Sequence, residues 1–190
     1  MGAQRATGMT TITGTSGSDN LNGGSGVDII NGGAGSDKIS GGSGDDILDG
    51  GSGSDTVNGD SGNDILIYRL TENAGSSDIY TGGSGVDTLR MYLTDAQWLD
   101  ASVQTQLASY LVHLAQYTNA KTGEMSNGSA SDFVFNFTSV TGQTTTLKVQ
   151  MTEKLEIWID NIQIDYHVPD IRVGTEIGRA SCRERVYSSV

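Results

Sequence analysis

An aspartate recurs every nine residues between Gly14 and Ile67. Six nonapeptides follow one another there without a gap, and each has Gly at its first and fourth positions and Asp at its sixth. The aspartates are Asp19, Asp28, Asp37, Asp46, Asp55 and Asp64. A glycine-rich turn exposes its carbonyl oxygens, and one carboxylate per turn adds to an all-oxygen shell that suits Ca²⁺ better than Mg²⁺. The spacing therefore predicts a row of calcium sites.

The eighth position of every nonapeptide is aliphatic, which predicts a turn followed by a three-residue strand whose middle side chain points inward. Two such units make one flattened coil. After an interruption at 68–72, a degenerate unit keeps Asp78, and a complete unit contains Asp87. The repeat region is thus predicted to cover 14–90.

These nonapeptides resemble the RTX repeats of secreted bacterial proteins. The resemblance implies a mainly β protein, built as a right-handed parallel β-roll with a C-terminal α+β cap. It also implies that each calcium ion lies between turns stacked on the same edge, so that repeat i pairs with repeat i+2. The implied pairs are Asp19 with Asp37, Asp28 with Asp46, Asp37 with Asp55, and Asp46 with Asp64, which gives about four complete sites.

The same resemblance assigns further metal ligands outside these pairs. Asp78 and Asp87 belong to the last two units, beyond the interruption. Carbonyl oxygens from the glycine positions complete each shell: Gly23, Gly26, Gly32, Gly35, Gly41, Gly44, Gly50 and Gly53. The first repeat departs from the pattern at Thr15 and the sixth at Asp60, so the end sites are expected to differ from the central ones.

Calcium is expected to decide whether the repeats fold. The alternative interpretation, a flexible acidic Gly/Ser linker, does not explain aliphatic and Asp residues held in a nine-residue register. Without metal, however, the repeats are expected to be as disordered as such a linker. Burial of six aliphatic side chains is too small to offset the ordering of the backbone, and Lys38 is the one basic residue among the six repeats.

The sequence after the repeats predicts a capping region over 91–171. Thr94–Gln97 has the pattern of a capping box, and apolar residues at helical spacing predict a helix over 101–117. Alternating apolar residues from Phe133 onward then predict three or four antiparallel strands. Residues 175–190 are interpreted as a non-native tail, because Glu176–Val186 resembles a translated sequencing adapter.

Position seven of the repeats points outward and alternates in character between odd and even repeats. Ile29, Ile47 and Ile65 occupy it in the even repeats, so they are expected to form an apolar column on one outer face. We expect the helix over 101–117 to cover the Ile65 end of that column, because a long apolar column is rarely left in water.

The chain is predicted to lack catalytic activity. His113 and His167 are interpreted as structural residues, and Gly59–Gly62 imitates a protease nucleophile motif only because it belongs to a repeat. The net charge of −12 opposes binding to nucleic acid and to anionic lipid, and no stretch is apolar enough for membrane insertion.

The segment GGSGVDTLRMYLTDAQW, at 82–98, resembles sequences that follow RTX repeats in very large bacterial adhesins. This resemblance implies a calcium-binding module of a secreted surface protein, exported by type I secretion and flanked by neighbouring domains of a larger chain, with an adhesion ligand that the sequence does not identify. The alternative is the accessory roll of a type I-secreted protease, lipase or epimerase. A catalytic domain elsewhere in the full gene distinguishes the two.

Overall fold

A computed structural model of the chain describes residues 8–119, 122–123, 132–139 and 142–164. Within them, thirteen strands form two sheets. The seven-stranded sheet contains, in order, β1 (Thr10–Thr13), β3 (Asp28–Asn31), β5 (Ile47–Asp49), β7 (Ile65–Arg69), β9 (Thr88–Leu93), β12 (Lys154–Ile159) and β13 (Ile162–Ile164). The six-stranded sheet contains, in order, β10 (Phe133–Thr138), β11 (Thr144–Gln150), β8 (Ser77–Ser84), β6 (Thr56–Ser61), β4 (Lys38–Ser43) and β2 (Asn20–Ser25).

Successive repeats alternate between the two sheets, and neighbours within a sheet pair in parallel. Asn20 lies opposite Lys38, and Ile29 lies opposite Ile47, so each partner is 18 residues further along the chain. The side chain at position eight of each unit points between the sheets, and Leu48, Val57 and Leu66 are completely buried there. The predicted parallel β-roll is confirmed.

The interruption of the repeats is taken up by the loop between β7 and β8. Its start is held by Leu70, which is buried in the core, and its end by Gly75, whose N–H donates to Thr145 Oγ1 at 2.8 Å. Because the extra residues stay within this loop, equivalent positions of the repeats still lie opposite each other: Asp60 of β6 faces Gly83 of β8, as Gly42 of β4 faces Asp60.

The C-terminal strands extend both sheets of the roll. β10 and β11 form an antiparallel hairpin, as do β12 and β13. However, β11 pairs with β8 in parallel and β12 pairs with β9 in parallel, so the prediction of purely antiparallel strands was incomplete. Strand β9 crosses the predicted boundary between 90 and 91. Residues 165–190, which include His167 and the tail at 175–190, lie outside the described residues.

Two helices connect β9 to β10. Helix α1 (Asp95–Trp98) begins with the predicted capping box at Thr94, and helix α2 (Ala101–Tyr117) begins after Asp100, whose side chain accepts the N–H of Ser102 at 2.7 Å. The predicted helix over 101–117 is confirmed. No helix in the described residues is long and apolar enough to cross a membrane.

Helix α2 does not cover the isoleucine column. Ile29, Ile47 and Ile65 do lie in register on the seven-stranded sheet, as predicted. The apolar face of the helix, however, packs against β10 of the other sheet, where Tyr110 contacts Phe133 and Phe135. The expected docking on Ile65 was therefore wrong, because the buried residues of α2 belong to the hydrophobic core instead. All three isoleucines are half-buried.

Candidate metal centre

The turns at the two edges of the roll place the repeat aspartates in two columns. Turns that lead from the six-stranded sheet to the seven-stranded sheet carry the Asp28 column, and turns that lead back carry the Asp19 column. The Asp28 column comprises Asp28, Asp46, Asp64 and Asp87. The Asp19 column comprises Asp19, Asp37, Asp55 and Asp78. This arrangement brings together the four predicted pairs, and it adds Asp78 and Asp87 to the same stacks.

Within each column, every aspartate after the first accepts a hydrogen bond from the backbone N–H of the aspartate one turn earlier. The N–H of Asp28 donates to Oδ1 of Asp46 at 2.7 Å, for example. The same bond joins five further pairs at 2.7–2.8 Å: Asp19 with Asp37, Asp37 with Asp55, Asp46 with Asp64, Asp55 with Asp78, and Asp64 with Asp87. One carboxylate oxygen of each acceptor thus fixes the stacking of the turns.

The second carboxylate oxygen is buried without a hydrogen-bond partner at most of these positions. Within the described residues, this holds for the Oδ2 atoms of Asp28, Asp37, Asp46, Asp55, Asp64 and Asp87. The six residues are at most 3% exposed. A buried, charged oxygen without a partner is strongly unfavourable, so a cation is required to stabilise the ionised columns.

The first glycine of each repeat leaves space beside this free oxygen. A Cβ atom on Gly41 would lie 2.4 Å from Oδ2 of Asp46 and 2.9 Å from the carbonyl oxygen of Gly59. A carboxylate oxygen and a backbone carbonyl oxygen therefore both lie close to this glycine, where any side chain would collide with them. The same convergence of an aspartate and a carbonyl or hydroxyl oxygen occurs at Gly23, Gly32 and Gly50.

After the first repeat, the glycine at the fourth position of the nonapeptide is required for conformation and for stacking. Gly44 has φ +125°, and a Cβ atom there would lie 2.0 Å from the carbonyl oxygen of Gly26 in the preceding turn. Gly26 itself has φ +114°. Gly35 and Gly53 repeat this arrangement on the other edge, with φ +116° and +125°. Side chains at these positions would force the turns apart.

The donor set fits Ca²⁺. The described residues contain no group of three or more His, Cys, Asp or Glu side chains that could hold a metal ion, so any shell must consist largely of backbone carbonyl oxygens. Hard oxygen ligands in a flexible arrangement are what Ca²⁺ accepts, whereas Zn²⁺ and other transition metals prefer nitrogen or sulfur. The residues that would hold the ion are the paired aspartates and the glycines of their turns.

Burial changes the acidity of the columns. It raises the pKa of Asp55 and of Asp64 to about 6, and the pKa of Asp87 to about 7. Hydrogen bonds from the preceding turn lower these values in part, while the neighbouring carboxylates raise them further. These three carboxylates therefore ionise less readily in the metal-free fold, because each charge is desolvated and lies close to another acid.

The two departures from the repeat pattern have local partners. At the first turn, Oδ2 of Asp19 accepts the N–H of Thr15 at 2.6 Å and the Thr15 hydroxyl at 2.9 Å, so its second oxygen is already bonded. In the sixth repeat, Asp60 adopts φ +73° at a position where the second to fifth repeats have glycine. Hydrogen bonds from the side chains of Ser40 and Asn58 hold Asp60 in place.

Glu153 ends the Asp28 column, and the sequence pattern did not reveal it. Its Oε2 accepts the N–H of Asp87 at 2.7 Å. The turn before β12 lacks the glycine pattern of the repeats, so no periodicity marks it. One feature of the sequence could have indicated it: an acidic residue followed two positions later by an aliphatic one. Glu153 and Leu155 have this pattern at the start of β12, as Asp87 and Leu89 have it at the start of β9. At the other column, Asp78 differs from Asp87, because its Oδ2 accepts the Ser76 hydroxyl at 2.6 Å.

Comparison with known families identifies the repeats. Four copies of the RTX calcium-binding nonapeptide repeat match residues 7–39 and 32–66. No curated protein and no solved structure matches the chain. The number of matched copies agrees with the predicted number of about four calcium sites. With its stacked aspartates and glycine-rich turns, the segment matched over residues 7–66 consists of RTX nonapeptide repeats, which bind Ca²⁺.

Proposed function

We propose that the chain is a non-enzymatic module of a secreted, adhesin-like bacterial surface protein, and that it folds when Ca²⁺ binds outside the cell. The observation that carries this proposal is the set of buried aspartate oxygens without hydrogen-bond partners. They make the ionised fold dependent on a bound cation, and RTX repeats are typical of secreted proteins. A chain that stays unfolded at low cytosolic calcium is suited to export before folding.

The charges of the roll support calcium-driven folding. The aspartate columns stack at intervals of one turn, and Lys38, at the surface of β4, is the one basic residue within the six repeats. Repulsion within the columns is therefore not relieved by nearby cationic side chains. A divalent cation held by two turns would offset the charge of two carboxylates.

The packing of His113 supports a structural rather than a catalytic role for this residue. Its ring lies 4.7 Å from the ring of Tyr117 and 5.4 Å from that of Phe133, measured between centroids. His113 thus belongs to the aromatic cluster between α2 and β10. We accordingly propose that the chain binds calcium and connects neighbouring domains without catalysing a reaction.

Circular dichroism with and without a calcium chelator tests calcium-driven folding. We expect a disordered spectrum for the repeats in excess chelator and a β-rich spectrum in millimolar Ca²⁺, with Mg²⁺ much less effective because backbone carbonyls do not readily form a tight octahedron. An unchanged β signal in excess chelator contradicts the proposal. Isothermal titration then counts the ions bound.

The alternative function is the accessory roll of a type I-secreted enzyme. The structure of the repeats suits both functions equally, since either would use calcium to fold after export. Sequencing the complete gene separates them: a protease, lipase or epimerase domain on the same chain favours the alternative, whereas repeated surface or adhesion domains favour our proposal.

A further inference from the structure

The turn between β11 and β12 occupies the place of a calcium-binding turn. Gln150 pairs with Thr81 before the turn and Lys154 pairs with Thr88 after it. The three residues Met151–Glu153 therefore connect the sheets where the repeat below uses the six residues Gly82–Asp87. This short turn continues the edge that carries the Asp28 column.

Glu153 takes the position of a repeat aspartate in this turn. Its Oε2 accepts the N–H of Asp87 at 2.7 Å, just as Oδ1 of Asp87 accepts the N–H of Asp64 at 2.8 Å. Glu153 is 7% exposed and lies within the stack. The longer side chain of glutamate reaches the column from a turn that has half as many residues.

Met151 takes the position of the first glycine of a repeat. A Cβ atom on Gly82 would lie 2.1 Å from the carbonyl oxygen of Met151, as one on Gly59 would lie 2.5 Å from the carbonyl oxygen of Gly82. Met151 adopts φ +46°, which is uncommon for a residue with a side chain. Its carbonyl also accepts the N–H of Gly83 at 3.3 Å, which leaves a second lone pair for a further partner.

A carboxylate oxygen without a hydrogen-bond partner lies near the same carbonyl. Oδ2 of Asp87 has no hydrogen-bond partner, and Asp87 is completely buried. This oxygen lies 2.5 Å from the Cβ position of Gly82, on which the Met151 carbonyl also converges. A buried carboxylate oxygen and a backbone carbonyl oxygen therefore meet beside Glu153.

We propose that Asp87, Glu153 and the Met151 carbonyl form an additional calcium site, which joins the capping strands to the last repeat. This inference rests on the proposed calcium binding of the columns and extends it to residues outside the repeats. The capping region then docks on the roll through a metal ion, and its folding depends on calcium.

Helix α2 is linked to this site through one side chain. The hydroxyl of Tyr110 donates to the carbonyl oxygen of Thr152, within the short turn, at 3.2 Å. Tyr110 is 1% exposed and its ring packs against Phe133 and Phe135. Binding of calcium at the turn thereby stabilises the position of the helix as well as that of β12.

The two tryptophans allow the cap and the roll to be followed separately. Trp98 lies in α1 and Trp158 in β12, so tryptophan fluorescence reports on the capping region, while far-ultraviolet circular dichroism reports mainly on the strands of the roll. Both signals are recorded during calcium titration of the full chain and of the variants Glu153→Gln and Glu156→Gln. Glu156 is the matched control, because it lies on β12 and pairs with Arg90 and with the indole N–H of Trp158 rather than with the column. Since this contact affects the fluorescence amplitude, the variants are compared by the calcium midpoint of the transition.

We expect Glu153→Gln to bind one ion fewer by isothermal titration. The calcium midpoint of its fluorescence transition should rise at least about tenfold, while the midpoint of its dichroism transition stays close to that of the wild type. Both midpoints of Glu156→Gln should equal those of the wild type. Glu153→Asp, which keeps the carboxylate, should give an intermediate fluorescence midpoint; if Glu153→Gln leaves the cap unfolded at every calcium concentration, this variant must restore the calcium-dependent transition.

Two results overturn different parts of the argument. Identical ion counts and midpoints in the wild type, Glu153→Gln and Glu153→Asp overturn the additional site, even though the repeats bind calcium. A wild-type chain that shows no response to Ca²⁺ in either signal overturns the proposed calcium-driven folding itself.

Discussion

The backbone N–H of Asp46 donates to Oδ1 of Asp64 at 2.8 Å, while Oδ2 of Asp64 is buried without a hydrogen-bond partner. One carboxylate thus performs two tasks, because one oxygen fixes the preceding turn and the other is left for a cation. Since every turn depends on the aspartate of the next, an ion bound at one level also orders the level below it.

Asp46 should contribute more to calcium binding than Asp19. Asp46 lies between two turns of its column, whereas Asp19 lies at the first turn and its Oδ2 already bonds to Thr15. We expect Asp46→Asn to weaken binding about ten- to hundredfold, equivalent to about 1.5–3 kcal/mol, and Asp19→Asn to have a smaller effect. Isothermal titration measures both, and equal losses would contradict the stacked geometry.

Gly44→Ala should be far more harmful than Gly24→Ala. Both glycines have positive φ, so both substitutions carry a backbone cost of about 1–3 kcal/mol. Only at Gly44 would the added methyl group meet another turn, at 2.0 Å from the Gly26 carbonyl oxygen, whereas Gly24 has nothing within 4 Å. Urea unfolding in saturating calcium compares the two, and similar losses of stability would show that close stacking is unimportant.

The metal-free chain should be more folded in mild acid than at neutral pH. The pKa values of Asp64 and Asp87 are raised in the fold, to about 6 and about 7, so protonation favours the folded state. This stabilisation is complete below the unfolded pKa of about 3.9 and is lost as the pH rises through about 6 to 7.

Circular dichroism in calcium-free buffer should therefore show more β structure at about pH 5 than at about pH 7.5. Calcium binding should have the opposite dependence, because protons compete with the ion for the same carboxylates, and its midpoint should rise as the pH falls. A metal-free chain that gains β structure on going from acid to neutral pH would contradict the assigned burial of these acids.

Leu48→Ala should destabilise the roll by about 2–5 kcal/mol, because Leu48 is completely buried between the sheets and its truncation leaves a cavity. Ile47→Ala is the matched control, since Ile47 is the adjacent residue and points to the outer face, where it is half-buried. Urea unfolding in saturating calcium should show the smaller loss for Ile47→Ala. A larger loss at Ile47 would indicate that the outer column is covered more fully than the inner one.

The repeat region was predictable because each level of the roll is a copy of the one before. The nine-residue spacing, together with the resemblance to RTX repeats, placed Asp28 against Asp46, and the same pairing continues to Asp87 because the interruption is confined to one loop. Local signals were equally informative for the helices, where Thr94 and Asp100 provide the caps.

The capping region was less predictable because its contacts are made between segments far apart in sequence. Glu153 joins the Asp28 column from 66 residues beyond Asp87, without a repeat to mark it. Proximity in sequence suggested that α2 would cover Ile65, but α2 packs against β10, and Tyr110 and Leu107 are buried in the core.

The pairing of residues 18 apart constrains how a gene for such a roll can change in length. Duplicating or deleting two nonapeptides adds or removes one complete coil, and both outer faces keep their character. Inserting or deleting a single nonapeptide moves every preceding repeat to the opposite sheet. Ile29 would then align with the position-seven residues of the other sheet, such as Asn20 and Lys38, and the isoleucine column would be interrupted. Insertion within one turn, as between β7 and β8, is the tolerated route for irregular lengths.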